Sequence, residues 1–453
     1  MNQNQESRAT VRGRGRAAGT RRGLLGSGAL AAPLILAACA GPGTPATPPA
    51  EAKEVTLTYV SDWSGGVRGE WVKAAMPRFT EENPKIKVQV DAWGGDVIAA
   101  SMANAAAGTL QDVLLGANDV FIQLARSGAM QDITAALKSL KIKMDDLVHV
   151  PSTISYNGKQ YGLPFQFIVQ AMVVNTSIFK NASVPPPTEK TTYPELLDLL
   201  RRVARPAEGV HGLLAGNGAG SWGQWLPFVW GYGGERWSPD LKRSLIAEPG
   251  SIEGLQFFVD LMQRHGAAVP IDDKGGIPAG VGFPNGNVAV GYAVSPGAGL
   301  QAQIAGKFEW DLMYHPIGPK VGKRNVFVND QANTVTAAAQ KRGVFDQAVR
   351  FVAWMSTSKT AQDLIVEIGP NAMPVLKSVV ASPKYLAGPP ASQKIIQEMT
   401  PAFRDPEVFL GWNEWRDEVY KALLPAFAGQ KSVPDAARDA ARAGDVVLAK
   451  IPR

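Results

Sequence analysis

The chain is 453 residues long, 45% hydrophobic and 19% charged, which is more than one hydrophobic core usually organises, so two domains or lobes are expected. Its net charge of +6 is concentrated at the start, where six arginines stand against Glu6 before residue 39; without that stretch the charge falls by five, to +1. A nucleic-acid partner, which needs a basic patch on the folded body, is therefore not expected, and the single cysteine, Cys39, excludes an intramolecular disulfide.

In chain order, Arg8, Arg12, Arg14, Arg16, Arg21 and Arg22 precede an uncharged, mostly small or apolar run from Gly23 to Leu36. This is the layout of a signal peptide, expected over residues 1–38, and the run is too short to span a bilayer, which takes about twenty apolar residues. Thr20-Arg21-Arg22-Gly23-Leu24-Leu25 resembles a twin-arginine export signal. Leu36-Ala37-Ala38-Cys39 resembles a lipoprotein cleavage box, in which Cys39 carries the lipid that ties the chain to the outer face of a membrane. Residues 39–54, rich in Pro, Ala and Thr, read as a flexible tether.

The folded body is expected to begin with an alternating strand, Val55-Thr56-Leu57-Thr58-Tyr59, stopped by Ser61-Asp62-Trp63-Ser64-Gly65-Gly66. Val72, Ala75, Met76 and Phe79 recur at helical spacing, with Pro77 expected to kink or restart that helix. After Asn83-Pro84 the alternation of Ile86 to Val90 predicts a second strand, Asp112 to Gly116 a third, and Val120 to Arg126 a helix closed by Gly128. Strands alternating with helices make an α/β lobe. Further on, Phe345, Ala348, Val349, Val352 and Met355 stripe one helix, and Trp415, Val419, Leu423 and Phe427 another.

Several segments, in order, resemble extracellular solute-binding proteins of ABC importers, the maltose-binding-protein-like carbohydrate type. They are Phe79 to Val88 (Phe-Thr-Glu-Glu-Asn-Pro-Lys-Ile-Lys-Val), Asn157 to Phe165 (Asn-Gly-Lys-Gln-Tyr-Gly-Leu-Pro-Phe), Val173 to Phe179, Phe283 to Val290, and the helix Ala348 to Met355. Gln111 stands where that family usually has proline before Asp112-Val113. The resemblance implies an α/β, two-lobed, periplasmic-binding-protein-like fold of type II with a hinge of crossing strands. Carried over by motif, the N-terminal lobe is 55–167 with 320–373 and the C-terminal lobe 168–319 with 374–453, and Gly162-Leu163-Pro164-Phe165 is the first crossing. It further implies a monomer that captures a carbohydrate between the lobes and hands it to permease subunits, with no cofactor and no catalysis.

A sugar ring stacks its C–H face on an aromatic plane and needs paired donors and acceptors for its hydroxyls, so aromatic residues beside amides and carboxylates are the candidates. The segment from Ser221 to Trp237 holds four tryptophans interrupted by glycines too frequent for a simple core helix; Trp222 and Trp225 are assigned to the cleft, Trp230 and Trp237 to packing. In the first lobe, Asp62, Trp63, Trp93 and Asp119 follow strand ends, where ligands of open α/β sheets bind, although a helix cap competes for Asp119. Gln166, Tyr292, Asp330 and Trp412 complete the set.

Ala219-Gly220-Ser221-Trp222-Gly223 resembles a variant nucleophile elbow, but the β-branched strand that such an elbow requires is missing before it. His149, His211, His265 and His315 have no metal-ligand spacing, so no metal is expected, and no Lys-Ser or Lys-Thr follows Gly216-Asn217-Gly218 to make a phosphate loop.

Overall fold

A computed structural model describes residues 53–61, 65–92, 97–151, 154–214, 222–369, 372–390, 392–405 and 409–451, with backbone alone at 97–98, 117–120 and 222–223. The expected signal peptide, Cys39 and nearly all of the tether lie outside the described residues.

The strands in chain order are β1 (Val55–Ser61), β2 (Ile86–Ala92), β3 (Val113–Ala117), β4 (Ser155–Tyr156), β5 (Lys159–Gln160), β6 (Gly162–Asn175), β7 (His211–Leu214), β8 (Val288–Val294), β9 (Trp310–Met313), β10 (Val326–Val335), β11 (Met373–Pro374) and β12 (Phe403–Arg404). Apart from the β4–β5 hairpin they join one sheet, ordered β2-β1-β3-β10-β6-β8-β7, with β9 and β11 paired to β6 and β12 paired to β10. β1, β2 and β3 run parallel, each pair linked through a helix as the alternating pattern predicts. β10 lies antiparallel to both β3 and β6.

Two strands serve both halves of the molecule. β6 is 14 residues long; its early part pairs with β10 at Ala332 to Thr334, and its later part with β8 and β9. Leu163 and Phe165 of β6 and Val335 of β10 belong to a core with Leu57, Trp71, Phe79, Val113, Phe351 and Trp354. Met172 and Val174 of β6 and Phe327 of β10 belong to a different core, with Phe179, Leu196, Trp225, Phe258, Trp415 and Phe427. Each fully buried side chain of this size contributes about 1.5–3 kcal/mol, so each half has its own source of cohesion while two strands tie them together.

The helix carrying Pro77 is not restarted: it runs unbroken over Gly66–Glu82 and buries Trp71, Val72, Ala75 and Phe79. Pro77 and Lys73, whose carbonyl loses its helical partner, are both exposed, so water satisfies the group that proline leaves open. At the end of this helix Asn83 donates through its backbone and its Nδ2 to the Phe79 carbonyl, and Pro84 prevents continuation. The aromatic segment also differs from expectation. Trp222–Gly231 is a helix, and Trp225, Leu226, Phe228, Val229 and Trp230 are all buried in the second core. Glycines permit close packing here: a Cβ on Gly231 would meet the Tyr193 ring at 2.3 Å, and Gly254, on the helix Pro249–Gln263, lies so near Val229 that a Cβ there would meet its Cα at 2.5 Å. No helix among the described residues is long and apolar enough to cross a membrane.

Candidate functional site

Strand alternation locates the surface between the two cores. The odd residues of β6 from Leu163 to Val173 are buried throughout. Its even face is covered at the start, where Gly162 and Pro164 pair with Thr334 and Ala332, and at the end, where Met172 and Val174 enter the second core. Between those limits it carries Gln166, Ile168 and Gln170, and the last two are half-buried. β10 matches this row in register, Gln331 opposite Gln166 and Asn329 opposite Ile168, while Val294 of β8, 44% exposed, lies opposite Gln170. The face where the strands cross is therefore a row of carboxamides with two aliphatic side chains among them.

Gln166 is fully buried, and its Nε2 donates to Oε1 of Gln331, a direct tie between the crossing strands. Its own Oε1 accepts no hydrogen bond among the described residues. A buried amide oxygen without a donor is costly, at about 1–3 kcal/mol. The register is irregular between Gln331 and Ala332, where β6 carries one residue more, Phe165, than β10.

The parallel strands of the first half end at the same place. Ser61 at the end of β1 is opposite Ala92 at the end of β2, and Ala117 at the end of β3 is opposite Gln331. Asp62, Trp63 and Trp93 follow those ends directly but lie outside the described residues. Asp119 and Trp222 sit in the first turns of the helices Asn118–Arg126 and Trp222–Gly231, with only their backbones described.

The remaining assignments divide. Tyr292, opposite Met172, is half-buried, and burial raises its phenol well above the ordinary value, so it is neutral and serves as donor or acceptor. Its ring meets that of His315 edge-on at 5.7 Å. His315 is buried, and its Nε2 lies 2.8 Å from the Gln170 carbonyl; loss of hydration lowers its pKa to about 4, so the ring is neutral at pH 7 and Nε2–H donates to that carbonyl. Asp330 lies opposite Phe167, on the other face of β10 from Asn329, and is 1% exposed; alternation removes it from the carboxamide row. Trp225, assigned to the cleft, is instead 1% exposed and packs against Phe427 with ring centroids 6.2 Å apart. Trp412 is likewise a core group, stacked on Trp415 at 6.0 Å and edge-on to Trp237 at 5.6 Å. Both are drawn inward because an indole buries more apolar area than almost any other side chain.

Three residues of the row escaped the sequence reading: Gln170, Asn329 and Gln331. A signal existed, since glutamines at 166 and 170 interrupt an otherwise apolar strand on one face, and Asn329 and Gln331 do so on β10. The elbow-like segment before Trp222 lies outside the described residues, and among the described residues no group of His, Cys, Asp and Glu is placed to hold a metal. A separate small cavity, lined by Ser295, Gly369, Met373, Tyr385, Pro389 and Gln393, involves the opposite face of β6, where Met373 packs with Phe167.

Among solved structures, a cyclic alpha-maltosyl-1,6-maltose binding protein from Arthrobacter globiformis shares the fold with a TM-score of 0.72 at 22% identity, covering 87% of this chain and 99% of its own. An ABC substrate-binding protein from Listeria monocytogenes, in complex with cycloalternan, gives 0.70 at 21% identity, covering 86% and 97%. A protein from Mycobacterium tuberculosis in complex with glycerophosphocholine gives 0.73 at 18% identity, covering 87% and 99%. No curated protein sequence matches. The fold is the two-lobed, periplasmic-binding-protein-like α/β fold of type II that the sequence implied. The sequence profile of the bacterial extracellular solute-binding protein matches residues 63–362, the greater part of the chain, and the chain therefore belongs to that family.

Proposed function

We propose that this chain is the lipid-anchored, extracytoplasmic binding component of an ABC importer, that it captures a carbohydrate between its lobes, and that it delivers it unaltered to the permease. The observation that carries the ligand class is the carboxamide row of Gln166, Gln170, Asn329 and Gln331 on the crossing strands, an uncharged surface of donors and acceptors suited to hydroxyls. Anchoring is assigned to Cys39, and the lobes to residues 55–167 with 320–373 and 168–319 with 374–453. Asp62, Trp63, Trp93, Asp119 and Trp222 complete the site from the strand and helix ends around the row, and closure of the lobes brings the two half-sites together on the ligand. The reading treats the chain as a monomer with no catalytic step.

Calorimetric and intrinsic-fluorescence titration with a panel of mono- and oligosaccharides tests the reading. A saccharide should bind and shift tryptophan emission, and Trp222→Ala should lose that shift together with about 1–2 kcal/mol of binding, the value of a lost aromatic contact. If no saccharide in the panel binds, or if the recovered sugar is chemically changed, the reading fails. The second reading, a glycerophosphodiester ligand, is favoured only by the Mycobacterium tuberculosis neighbour, and glycerophosphocholine belongs in the same panel.

A further inference from the structure

Beyond the row, the same face of β10 continues to Phe327, and there β12 places Arg404 directly opposite it. The indole of Trp230 lies against both: its ring is stacked with that of Phe327 at 6.2 Å and 16°, and Cζ of Arg404 is 4.1 Å from its centroid. A guanidinium on an indole face is held flat by cation–π attraction. Nη2 of Arg404 donates to both carboxylate oxygens of Glu235 at 2.9 Å, while its Nε and Nη1 make no hydrogen bond among the described residues. Arg404 and Glu235 are both half-buried, so the pair is oriented yet open on one side. A charged pair tied to a fixed plane loses little freedom on binding, which is how a recognition site differs from a solvated surface ion pair.

We propose that Arg404 and Glu235, laid on Trp230, form a subsite for two adjacent hydroxyls of a neutral ligand. The inference rests on the saccharide reading above and sharpens it. A guanidinium offers donors and a carboxylate offers acceptors side by side; a vicinal diol presents the complementary set, one hydroxyl accepting from Arg404 and its neighbour donating to Glu235. The geometry argues against a phosphate here. Glu235 already occupies the Nη2 edge with a negative charge. An anion approaching that edge meets this carboxylate, whereas a diol adds no charge. The subsite is continuous with the carboxamide row through Asn329, two residues from Phe327 on the same face.

The test uses the saccharide bound most tightly by the full chain, its monodeoxy derivatives and glycerophosphocholine, measured by calorimetry on the wild type, Arg404→Met and Glu235→Gln. Each variant should bind that saccharide about 10- to 100-fold more weakly, the range expected for one lost charge-assisted hydrogen bond. Deleting the hydroxyl that accepts from Arg404 should weaken binding to the wild type by a similar factor and leave affinity for Arg404→Met unchanged, whereas deleting its neighbour, the donor to Glu235, should weaken both. Glu235→Gln is nearly isosteric and guards against a folding failure in Arg404→Met, with thermal melts as the check. Wild-type affinity in both folded variants, or discrimination in Arg404→Met against the sugar that lacks the hydroxyl assigned to Arg404, overturns the subsite while leaving the saccharide reading intact. A wild type that ignores every saccharide but binds glycerophosphocholine through Arg404, with strong salt dependence, overturns both.

Discussion

His315 shows what one buried side chain does to the response of the whole chain to acid. Its ring lies between Tyr292 and the Gln170 carbonyl; burial above all, with like-charge repulsion from Arg324, lowers its pKa to about 4 from 6.5, against the opposing backbone hydrogen bonds with Gln170 and Asn325. The folded state thus refuses a proton that the unfolded chain accepts. Stability should be flat above the unfolded value and fall as pH drops from about 6.5 toward 4, with roughly 2 kcal/mol of the loss between pH 7 and pH 5 assignable to this ring. Urea unfolding at the two pH values, on the wild type and on His315→Asn, measures that share; an equal acid loss in both proteins would remove His315 as its source. Because the folded ring stays neutral and holds the backbone of Gln170 until the pH approaches 4, ligand affinity should be kept over most of this range.

The helix Trp222–Gly231 shows how an element is misjudged when composition is read without its neighbours. Glycine frequency argues against a simple core helix, yet Trp222–Gly231 is a helix, and Val229 and Phe228 press against Gly254 with no side chain between the two backbones. A methyl group at Gly254 would stand 2.5 Å from Val229 Cα and 2.7 Å from the Phe228 carbonyl oxygen, contacts that only movement of a backbone can relieve. Gly254→Ala should therefore cost about 2–3 kcal/mol in spite of the gain in helix propensity, as overpacking does. Chemical denaturation decides the matter: a variant as stable as the wild type would mean that the two helices are not packed as described. The continuous helix through Pro77 carries the complementary lesson, since a proline on the solvent side loses a hydrogen bond that water replaces.

At the scale of the whole molecule, β6 and β10 each give side chains to two separate cores, and the side-chain tie between them runs from Gln166 to Gln331. Two strands are stiff along their length and yield in twist, so relative rotation of the two halves about them is the motion this architecture permits. A ligand that contacts both halves stabilises the arrangement in which both contacts exist. Small-angle scattering should accordingly record a smaller radius of gyration with saturating saccharide than without it. An unchanged profile under saturation would mean that binding requires no closure.

Much of this was legible in the residues themselves. Alternation in Val55 to Tyr59 and Ile86 to Val90 and helical spacing from Val72 to Phe79 determined an α/β chain, because these patterns are local and each repeats the period of its element, while the crossing at Gly162-Leu163-Pro164-Phe165 was implied by the family resemblance alone. The destination of individual side chains was not local. Trp225 and Trp412 differ from a ligand platform only in what packs on them, and Asp330 differs from Gln331 only in which face of β10 it occupies beside an irregular register. Trp230 and Glu235 share one segment, but Arg404 lies 169 residues beyond Glu235, so no spacing could have announced its arrival there. Period and propensity act over a few residues and belong to the sequence; burial, facing and long-range pairing arise only when strands distant in the chain are set side by side, and these belong to the tertiary structure.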